Sequence, residues 1–322
     1  MIEPIVLPTP FPVGPVNCWL LRGDPLTLVD AGPDTPEALA ALESGLGSFG
    51  LRIEDVELLV LTHQHSDHVG LAATIAERSE CSVAAHRLLV DYVGDVQAAM
   101  MAEEQWEDAL LRLHGTPDDR REAFLAVMRE RRRYGGAGAI VDRPLSEGDV
   151  LDAGGLRLRV ALRPGHSPTD TIFCDDATGV AFVGDHLIAH ISSNPLVHRP
   201  PTGAADPARR QSSLQSYLAS LERTAAEGFT VMHTGHGTDI TDHRPLIANR
   251  LHLHERRVDQ VRETLDGGYR TASELSARLW PGLPPNQAFL TLCEVLGALD
   301  LLEERGLVRS TLGEGALVYE PA

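Results

Sequence analysis

The sequence predicts an α/β fold followed by a smaller C-terminal domain, and three observations carry this prediction. The first is VELLVLT (56–62), a mainly apolar run typical of a strand buried on both faces, which leads into a helix-forming segment. Second, a chain of 322 residues suits one large and one small domain. Third, the pattern changes near residue 252 to three helix-forming segments and a hairpin. We therefore expect domains over residues 1–250 and 251–322.

The first third of the chain predicts strands and helices in alternation. Residues 16–22 and 26–33, separated by a Gly-Asp-Pro turn, indicate a β-hairpin. Residues 35–50 have helical spacing and end in glycine. After the strand at 56–62, residues 68–80 predict a second helix. A polar loop therefore leaves the C-terminal end of a buried strand, which is where α/β folds tend to place their sites.

Residues 89–134 are amphipathic, highly charged and helix-forming, and they predict a helical insertion. Met100, Met101 and Trp106 lie there at near-helical spacing. They fit either core packing or a flexible apolar lid, which would suit an acyl or other lipophilic substrate. Residues 141–190 return to short strands and turns, before a proline-rich loop, a helix and a strand.

Composition excludes some classes of function. The formal net charge is -18 and the chain contains no lysine, so a polyanionic nucleic acid is disfavoured as a partner. No segment reaches the roughly 18 apolar residues needed to span a membrane. The four cysteines are scattered and the N-terminus has no secretory pattern. We expect reduced thiols and a cytoplasmic protein without membrane partners.

The segment LTHQHSDHVG (61–70) concentrates metal-binding side chains directly after the buried strand. In an extended loop, residues two apart project to the same side, so His63 and His65 can share one ion. Asp67 and His68 follow a bend and can serve a second ion. A lone His-x-His pair would also fit a polar surface loop, but this density of ligands predicts a metal site.

Further donors follow other predicted strands, often beside glycines that permit sharp turns. They are Asp30, His166, Asp185 and His236.

Together these motifs resemble the metallo-β-lactamase superfamily over residues 10–240. The resemblance implies an αββα sandwich with a two-metal site along one edge. It assigns one ion to three histidines, His63, His65 and His166. It assigns the other ion to Asp67, His68 and His236. It also implies that Asp185 bridges the two ions and that Asp30 supports the site from behind.

The resemblance further implies a hydrolytic centre. Two divalent ions can share a water molecule and lower its pKa, giving a hydroxide nucleophile that Asp67 would orient. Zinc is the first candidate for both ions, with manganese and iron as alternatives. His65 argues against the flavodiiron branch, which carries glutamate at that position. In many hydrolytic relatives a histidine stands where this chain has Asp170, so we expect Asp170 beside the site, outside the ligand set.

The loop after Asp185 offers further candidates. His186 and His190 are expected on the rim of the site or behind it, not as ligands. Asn194 and His198 are candidates for contact with substrate, with a plain loop as the alternative.

The C-terminal segment resembles the winged-helix tail of one branch of this superfamily. That branch includes LACTB-like endoribonucleases and hydroxyacylglutathione hydrolase-like enzymes. Residues 255–322 carry seven arginines against eleven acidic residues, and the third helix is largely apolar. A DNA-binding face is basic, so this tail predicts packing against the main domain or a second subunit.

We therefore expect a dinuclear hydrolase acting on a small ester, thioester or lactone-like substrate, with an acyl thioester as one possible substrate and a homodimer as one possible assembly. Two alternatives remain open from sequence. One is a phosphodiesterase or endoribonuclease of the same fold. The other is a regulator that binds nucleic acid through its winged helix.

Overall fold

The computed structural model describes residues 1–202, 206–284 and 287–322, and two β-sheets form its centre. The first sheet has six strands in the order β1-β2-β3-β4-β5-β6. They are β1 (Ile2–Leu7), β2 (Val16–Leu21), β3 (Thr27–Val29), β4 (Leu58–Leu61), β5 (Ser82–His86) and β6 (Arg143–Leu145). Strands β1 to β3 pair antiparallel, which confirms the predicted hairpin, and β3 to β6 pair parallel.

The second sheet has five strands in the order β11-β10-β9-β8-β7. They are β7 (Val150–Ala153), β8 (Leu156–Leu162), β9 (Thr171–Asp175), β10 (Val180–Gly184) and β11 (Val231–Thr234). The pairing is antiparallel except between β10 and β11, which are parallel. The C-terminal ends of β10 and β11 therefore lie side by side.

Ten α-helices surround the sheets in the described part of the chain. They are α1 (Pro36–Ser48), α2 (Ser66–Val69), α3 (Ala72–Ser79), α4 (Val90–Gly94), α5 (Val96–Leu113), α6 (Asp118–Arg131), α7 (Ser213–Ala226), α8 (His243–Asp266), α9 (Ala272–Leu279) and α10 (Ala288–Glu304). None of the described helices is both long and apolar enough to cross a membrane.

Strand β4 shows how the layers form. Side chains alternate between the faces of a strand, and all four residues of β4 are buried. Leu58 and Val60 pack toward the second sheet, whereas Leu59 and Leu61 join the core that includes α1 and α3. On the far face of the second sheet, a further cluster includes Tyr217 of α7. The result is the expected αββα sandwich.

The helical insertion and the C-terminal segment share one hydrophobic core. Trp106 of α5 and Phe124 of α6 belong to the same buried cluster as Leu214 and Phe289. The rings of Phe124 and Phe289 stack with their centres 4.7 Å apart. This confirms that α10 packs against the rest of the chain.

The C-terminal segment contains three helices, α8 to α10, and an antiparallel hairpin. The hairpin strands are β12 (Val308–Leu312) and β13 (Leu317–Pro321). The expected division at residues 250 and 251 lies inside α8, which runs without a break from His243 to Asp266.

Two local differences from the sequence expectation concern the site. Helix α2 already begins at Ser66, so Asp67 and His68 lie on a helical turn. The single helix expected over residues 68–80 is two helices, because the chain turns at Gly70 and Leu71. The backbone N–H of Leu71 donates to the carbonyl of Gly32, 3.1 Å away.

Candidate metal centre

The strand ends of both sheets bring all seven predicted ligands together. His63 and His65 follow β4, and Asp67 and His68 lie on the adjoining turn of α2. The remaining three follow strands of the second sheet: His166 after β8, Asp185 after β10 and His236 after β11. All seven side chains are at least half-buried, and most are fully buried.

Three histidines form the first group. The Nδ1 atom of His65 lies 3.1 Å from Nε2 of His63 and 3.0 Å from Nε2 of His166. These are the three residues assigned to the first ion from the sequence.

Asp67, His68 and His236 form the second group, and Asp185 faces both groups. His236 Nε2 lies 3.4 Å from an oxygen of Asp67 and 3.4 Å from Oδ2 of Asp185. The other carboxylate oxygen of Asp185 lies 3.4 Å from Nε2 of His68. Asp185 Oδ2 is also 3.7 Å from Nε2 of His166. One carboxylate therefore stands between the two sets of donors.

These spacings fit coordination of an ion. Ligand atoms about 2.0–2.1 Å from a tetrahedral zinc lie roughly 3.3–3.4 Å from each other, and the spacings here run from 3.0 to 3.7 Å. In addition, His68 Nε2, His236 Nε2 and Asp185 Oδ1 are buried without a hydrogen-bond partner. A buried polar atom without a partner is costly. A divalent ion would satisfy these atoms.

The histidines are held from behind at their other ring nitrogens. Nδ1 of His166 lies 3.0 Å from the carbonyl of Asn194, and Nδ1 of His236 lies 2.8 Å from the carbonyl of Pro15. A carbonyl oxygen only accepts, so Nδ1 carries the proton and Nε2 keeps a lone pair for a metal.

Asp30 lies behind two histidines of the ligand groups. Its Oδ2 accepts from Nδ1 of His68 over 2.7 Å. The hydroxyl of Thr62 donates to Asp30 and lies 3.0 Å from Nδ1 of His63. Asp30 has a φ of 63°, in the left-handed region, and the backbone N–H of Thr62 donates to its carboxylate.

Burial and charge set the protonation of the cluster. Burial, together with the neighbouring histidines, lowers the pKa of His63 and His65 well below the ordinary value, so both are neutral. Burial alone would lower the pKa of His236, but Asp185 and Asp67 raise it to about 10. A bound metal ion would displace that proton and would be attracted by the same two carboxylates.

Two glycines allow the close packing of the site. A Cβ atom on Gly235 would clash with the carboxylate of Asp185 and lie 2.7 Å from Cε1 of His68. A Cβ atom on Gly165, next to His166, would lie 2.5 Å from the backbone of Tyr217.

Asp170 shapes the turn that carries His166. Its carboxylate accepts from the backbone N–H of Ser167 at 2.8 Å and from the Ser167 hydroxyl at 2.7 Å. The side chain is 2% exposed, and burial raises its pKa. Asp170 thus lies beside the candidate ligands and stabilises the turn that carries His166.

Two other histidines near the site, His186 and His233, stand apart from the two groups. Nε2 of His186 is hydrogen-bonded to Thr224 at 2.9 Å. His233 pairs with Asp239 at 3.1 Å, and its ring packs on Trp19. Neither contacts the ligand groups through its described hydrogen bonds.

A cavity of about 520 Å³ opens onto the ligand cluster. Besides the ligand cluster itself, residues of four segments line it. The segment before β2 contributes Phe11 and Val13, and the insertion contributes Tyr92, Met100 and Met128. The loop after β10 contributes Ile188, Ile191, Asn194, Leu196 and His198, and α10 contributes Phe289 and Leu290. The insertion and the C-terminal segment therefore both contribute to the wall of this cavity.

Only some of this wall was predictable. Met100 lines the cavity, whereas Trp106 lies in the shared core and Met101 is 46% exposed. Sequence reasoning missed Glu103 and Glu107, which line the cavity from one face of α5. Their spacing of four residues places them on the same side of a helix, and this was the available signal.

Comparison with known proteins agrees with this geometry. The sequence profile of the metallo-beta-lactamase superfamily matches residues 11–236. The probable metallo-hydrolase YqjP of Bacillus subtilis (strain 168) is 34% identical over 98% of this chain and 96% of its own length. The hydroxyacylglutathione hydrolase of Rhodopseudomonas palustris (strain BisA53) is 27% identical over 54% of this chain and 49% of that enzyme.

A crystal structure of a metallo-beta-lactamase family protein from Thermus thermophilus superposes with a TM-score of 0.81. It is 29% identical, and the match covers all of this chain and 98% of that one. The chain belongs to the metallo-beta-lactamase superfamily and is a metallo-hydrolase of that family.

Proposed function

We propose that this chain is a dinuclear metal-dependent hydrolase that cleaves acyl thioesters and related esters. The single observation that carries the proposal is the position of Asp185 between two groups of donors, with its oxygens 3.4 Å from His68 and His236 and 3.7 Å from His166. One carboxylate placed in this way can bridge two ions. We assign His63, His65 and His166 to the first ion and Asp67, His68 and His236 to the second.

A pair of divalent ions, with zinc as the first candidate, would supply Lewis acidity and lower the pKa of a water molecule. Asp67 lines the cavity and is 7% exposed, so its carboxylate can accept a hydrogen bond from that water and orient it. Asp185 holds the two ligand groups in register. The imidazoles need no reorganisation, because their other nitrogens are already anchored.

The wall of the cavity favours an acyl substrate. Its apolar residues come from the insertion, the following loop and α10, and they would exclude water from a bound hydrocarbon chain. The relative from Rhodopseudomonas palustris is a hydroxyacylglutathione hydrolase, which favours a thioester over a lactone. The net charge of -18 weighs against RNA cleavage.

We also propose that residues 251–322 are a winged-helix-like domain with a packing role. Residues Phe289 and Leu290 of this segment line the substrate cavity, and α10 shares the core of the insertion. A homodimer is a separate prediction, which the molar mass measured by light scattering after size-exclusion chromatography would test.

The test is a substrate panel on metal-reconstituted protein. It contains acyl thioesters of increasing chain length, a lactone, a β-lactam and an activated phosphodiester, with Asp185→Ala as the matched inactive protein. We expect the highest kcat/KM for a medium or long acyl thioester and none in the variant. Turnover of the phosphodiester alone, or tight binding of RNA without ester turnover, would contradict the proposal.

A further inference from the structure

His65 is anchored differently from the other four histidines of the ligand groups. Its Nδ1 faces His63 and His166, so Nε2 is the nitrogen left for support. The partner of Nε2 is Nε2 of His198, 3.4 Å away. His198 belongs to the loop after β10, and its side chain is 9% exposed.

His198 is in turn held by the helical insertion. Its Nδ1 lies 3.0 Å from Oε1 of Glu103, a residue of α5 whose side chain is 10% exposed. The same oxygen accepts from the backbone N–H of Arg199 at 2.9 Å. Two donors from one loop therefore fix the carboxylate of Glu103. The side chains of His65, His198 and Glu103, which form this hydrogen-bonded series, are all at least half-buried.

The donors and acceptors in this hydrogen-bonded series follow from the protonation of the carboxylate and the imidazoles. An ionised carboxylate only accepts, so Nδ1 of His198 carries a proton, and in the neutral imidazole Nε2 of His198 is then an acceptor. Nε2 of His65 must then be the donor, which leaves the lone pair of His65 on Nδ1. That is the atom directed at His63 and His166.

We propose that Glu103 and His198 are positioning residues that fix the tautomer and ring orientation of His65 and so tie the helical insertion to the first metal site. This inference rests on the ligand assignment of the proposed function. Supporting carboxylates and carbonyls behind metal-binding histidines commonly change metal affinity by 10–100-fold when removed.

A different use of the same residues is a third ion held by Glu103, Glu107 and His198, whose donor atoms lie within 4.8 Å of one another. Glu107 is 2% exposed and its Oε2 has no hydrogen-bond partner. However, Nδ1 of His198 and Oε1 of Glu103 already pair with each other, and Oε1 also accepts from the backbone N–H of Arg199. The geometry therefore favours support of His65.

The experiment measures metal binding to the intact chain by competition with a chromogenic chelator, without substrate. We expect His198→Ala to weaken one of the two stepwise dissociation constants by about 10–100-fold, with little change in the other. His198→Gln, whose amide oxygen can accept from His65, should recover most of the loss. Glu104→Gln is the matched control, because Glu104 neighbours Glu103 on α5 but pairs with Arg129 and Arg132 and has no described hydrogen bond to any of the three.

A comparison of single and double variants distinguishes loss of the support behind His65 from general damage to the fold. Glu103→Ala should weaken the same constant, and Glu103→Ala with His198→Ala should be no weaker than His198→Ala alone, because the two act through one contact. The loss should persist in a His68→Ala background, which removes a ligand of the second group.

Three outcomes would overturn the inference: unchanged constants in His198→Ala, equal losses in His198→Ala and Glu104→Gln, or a third ion per chain that Glu107→Gln removes. Because no substrate is used, a chain that binds two ions but cleaves no thioester would overturn the proposed substrate and leave this inference standing. A wild-type chain that binds no ion would instead overturn the ligand assignment of the proposed function.

Discussion

At the scale of the residue, the site depends on which nitrogen of each histidine carries a proton. His68, His166 and His236 each place Nδ1 against an oxygen acceptor, which leaves Nε2 for a metal. The sequence predicts the side chains of this cluster, because donor-rich turns follow apolar runs. It does not predict the acceptors that orient them, since the carbonyls of Pro15 and Asn194 carry no signature in the sequence.

Gly235 is the residue whose replacement should disturb the second group most selectively. In Gly235→Ala, the added methyl would meet the carboxylate of Asp185 and the ring of His68, so both must shift. We expect loss of about one ion per chain and a fall in hydrolysis of at least tenfold, measured by elemental analysis and initial rates. Gly228→Ala is the matched control, because a Cβ atom there has no neighbour within 4 Å. Full metal content in Gly235→Ala would show that the packing here is looser than described.

His254 of α8 should make stability depend on pH. It is 2% exposed, and burial together with Arg250 and Arg257 lowers its pKa to about 4. Below about pH 6.5, the ordinary pKa of histidine, His254 binds a proton in the unfolded chain but not in the folded chain. The free energy of unfolding therefore falls as pH drops from about 6.5 to 4, by up to about 1.4 kcal/mol per pH unit.

Urea unfolding between pH 6 and 4.5 checks this prediction against His254→Leu. The slope of unfolding free energy with pH should be shallower in the variant by up to about 1.4 kcal/mol per unit. Any loss of metal at low pH affects both proteins and cancels in the comparison. Equal slopes would mean that His254 already titrates near its ordinary value in the folded chain.

At the scale of the element, strand β4 was predictable because a short buried strand has a strong local pattern. The bend that separates α2 from α3 was not, because it depends on a contact between Leu71 and the distant carbonyl of Gly32. The insertion was predictable as helical, but the sequence left open whether Met100 faced the core or the site. In the structure it does both, because Met100 lines the cavity and also belongs to the buried core that includes α1 and α3.

Helix α6 of the insertion should set the preference for acyl chain length. Met128 lines the cavity, so Met128→Ala removes apolar contact from a long acyl group. At about 0.8 kcal/mol per buried methylene, we expect KM for a long-chain thioester to rise about threefold to tenfold, with little change for an acetyl thioester. Met101→Ala is the control, because Met101 is 46% exposed and does not line the cavity. Equal effects on short and long substrates would contradict a role of the insertion in binding the acyl group.

At the scale of the whole molecule, the insertion, α7 and the C-terminal helices share one buried cluster. The sequence predicted an apolar face on α10 and offered the main domain or a second subunit as its partner. The main domain is the partner in this structure. Sequence could not decide this, because contacts between residues 106–124 and residue 289 are set by the packing of the whole chain.

The shared core predicts that the chain unfolds as one unit. Phe289 is 5% exposed and stacks on Phe124, so Phe289→Ala should lower the free energy of unfolding by about 3–5 kcal/mol. Leu312→Ala in the same segment, at a residue that is 72% exposed, should change it by less than about 0.5 kcal/mol. Calorimetry should show a single transition in each protein. A separate low-temperature transition for the C-terminal segment would mean that it folds independently.

The metal content of ligand variants tests the central claim, a two-ion site shared through Asp185, most directly. Elemental analysis should find two divalent ions per chain in the reconstituted wild-type protein. His68→Ala and Asp185→Ala should each hold fewer than two and should lose thioester hydrolysis, because Asp185 faces both ligand groups and His68 belongs to the second. Two ions retained in both variants would contradict the ligand assignment.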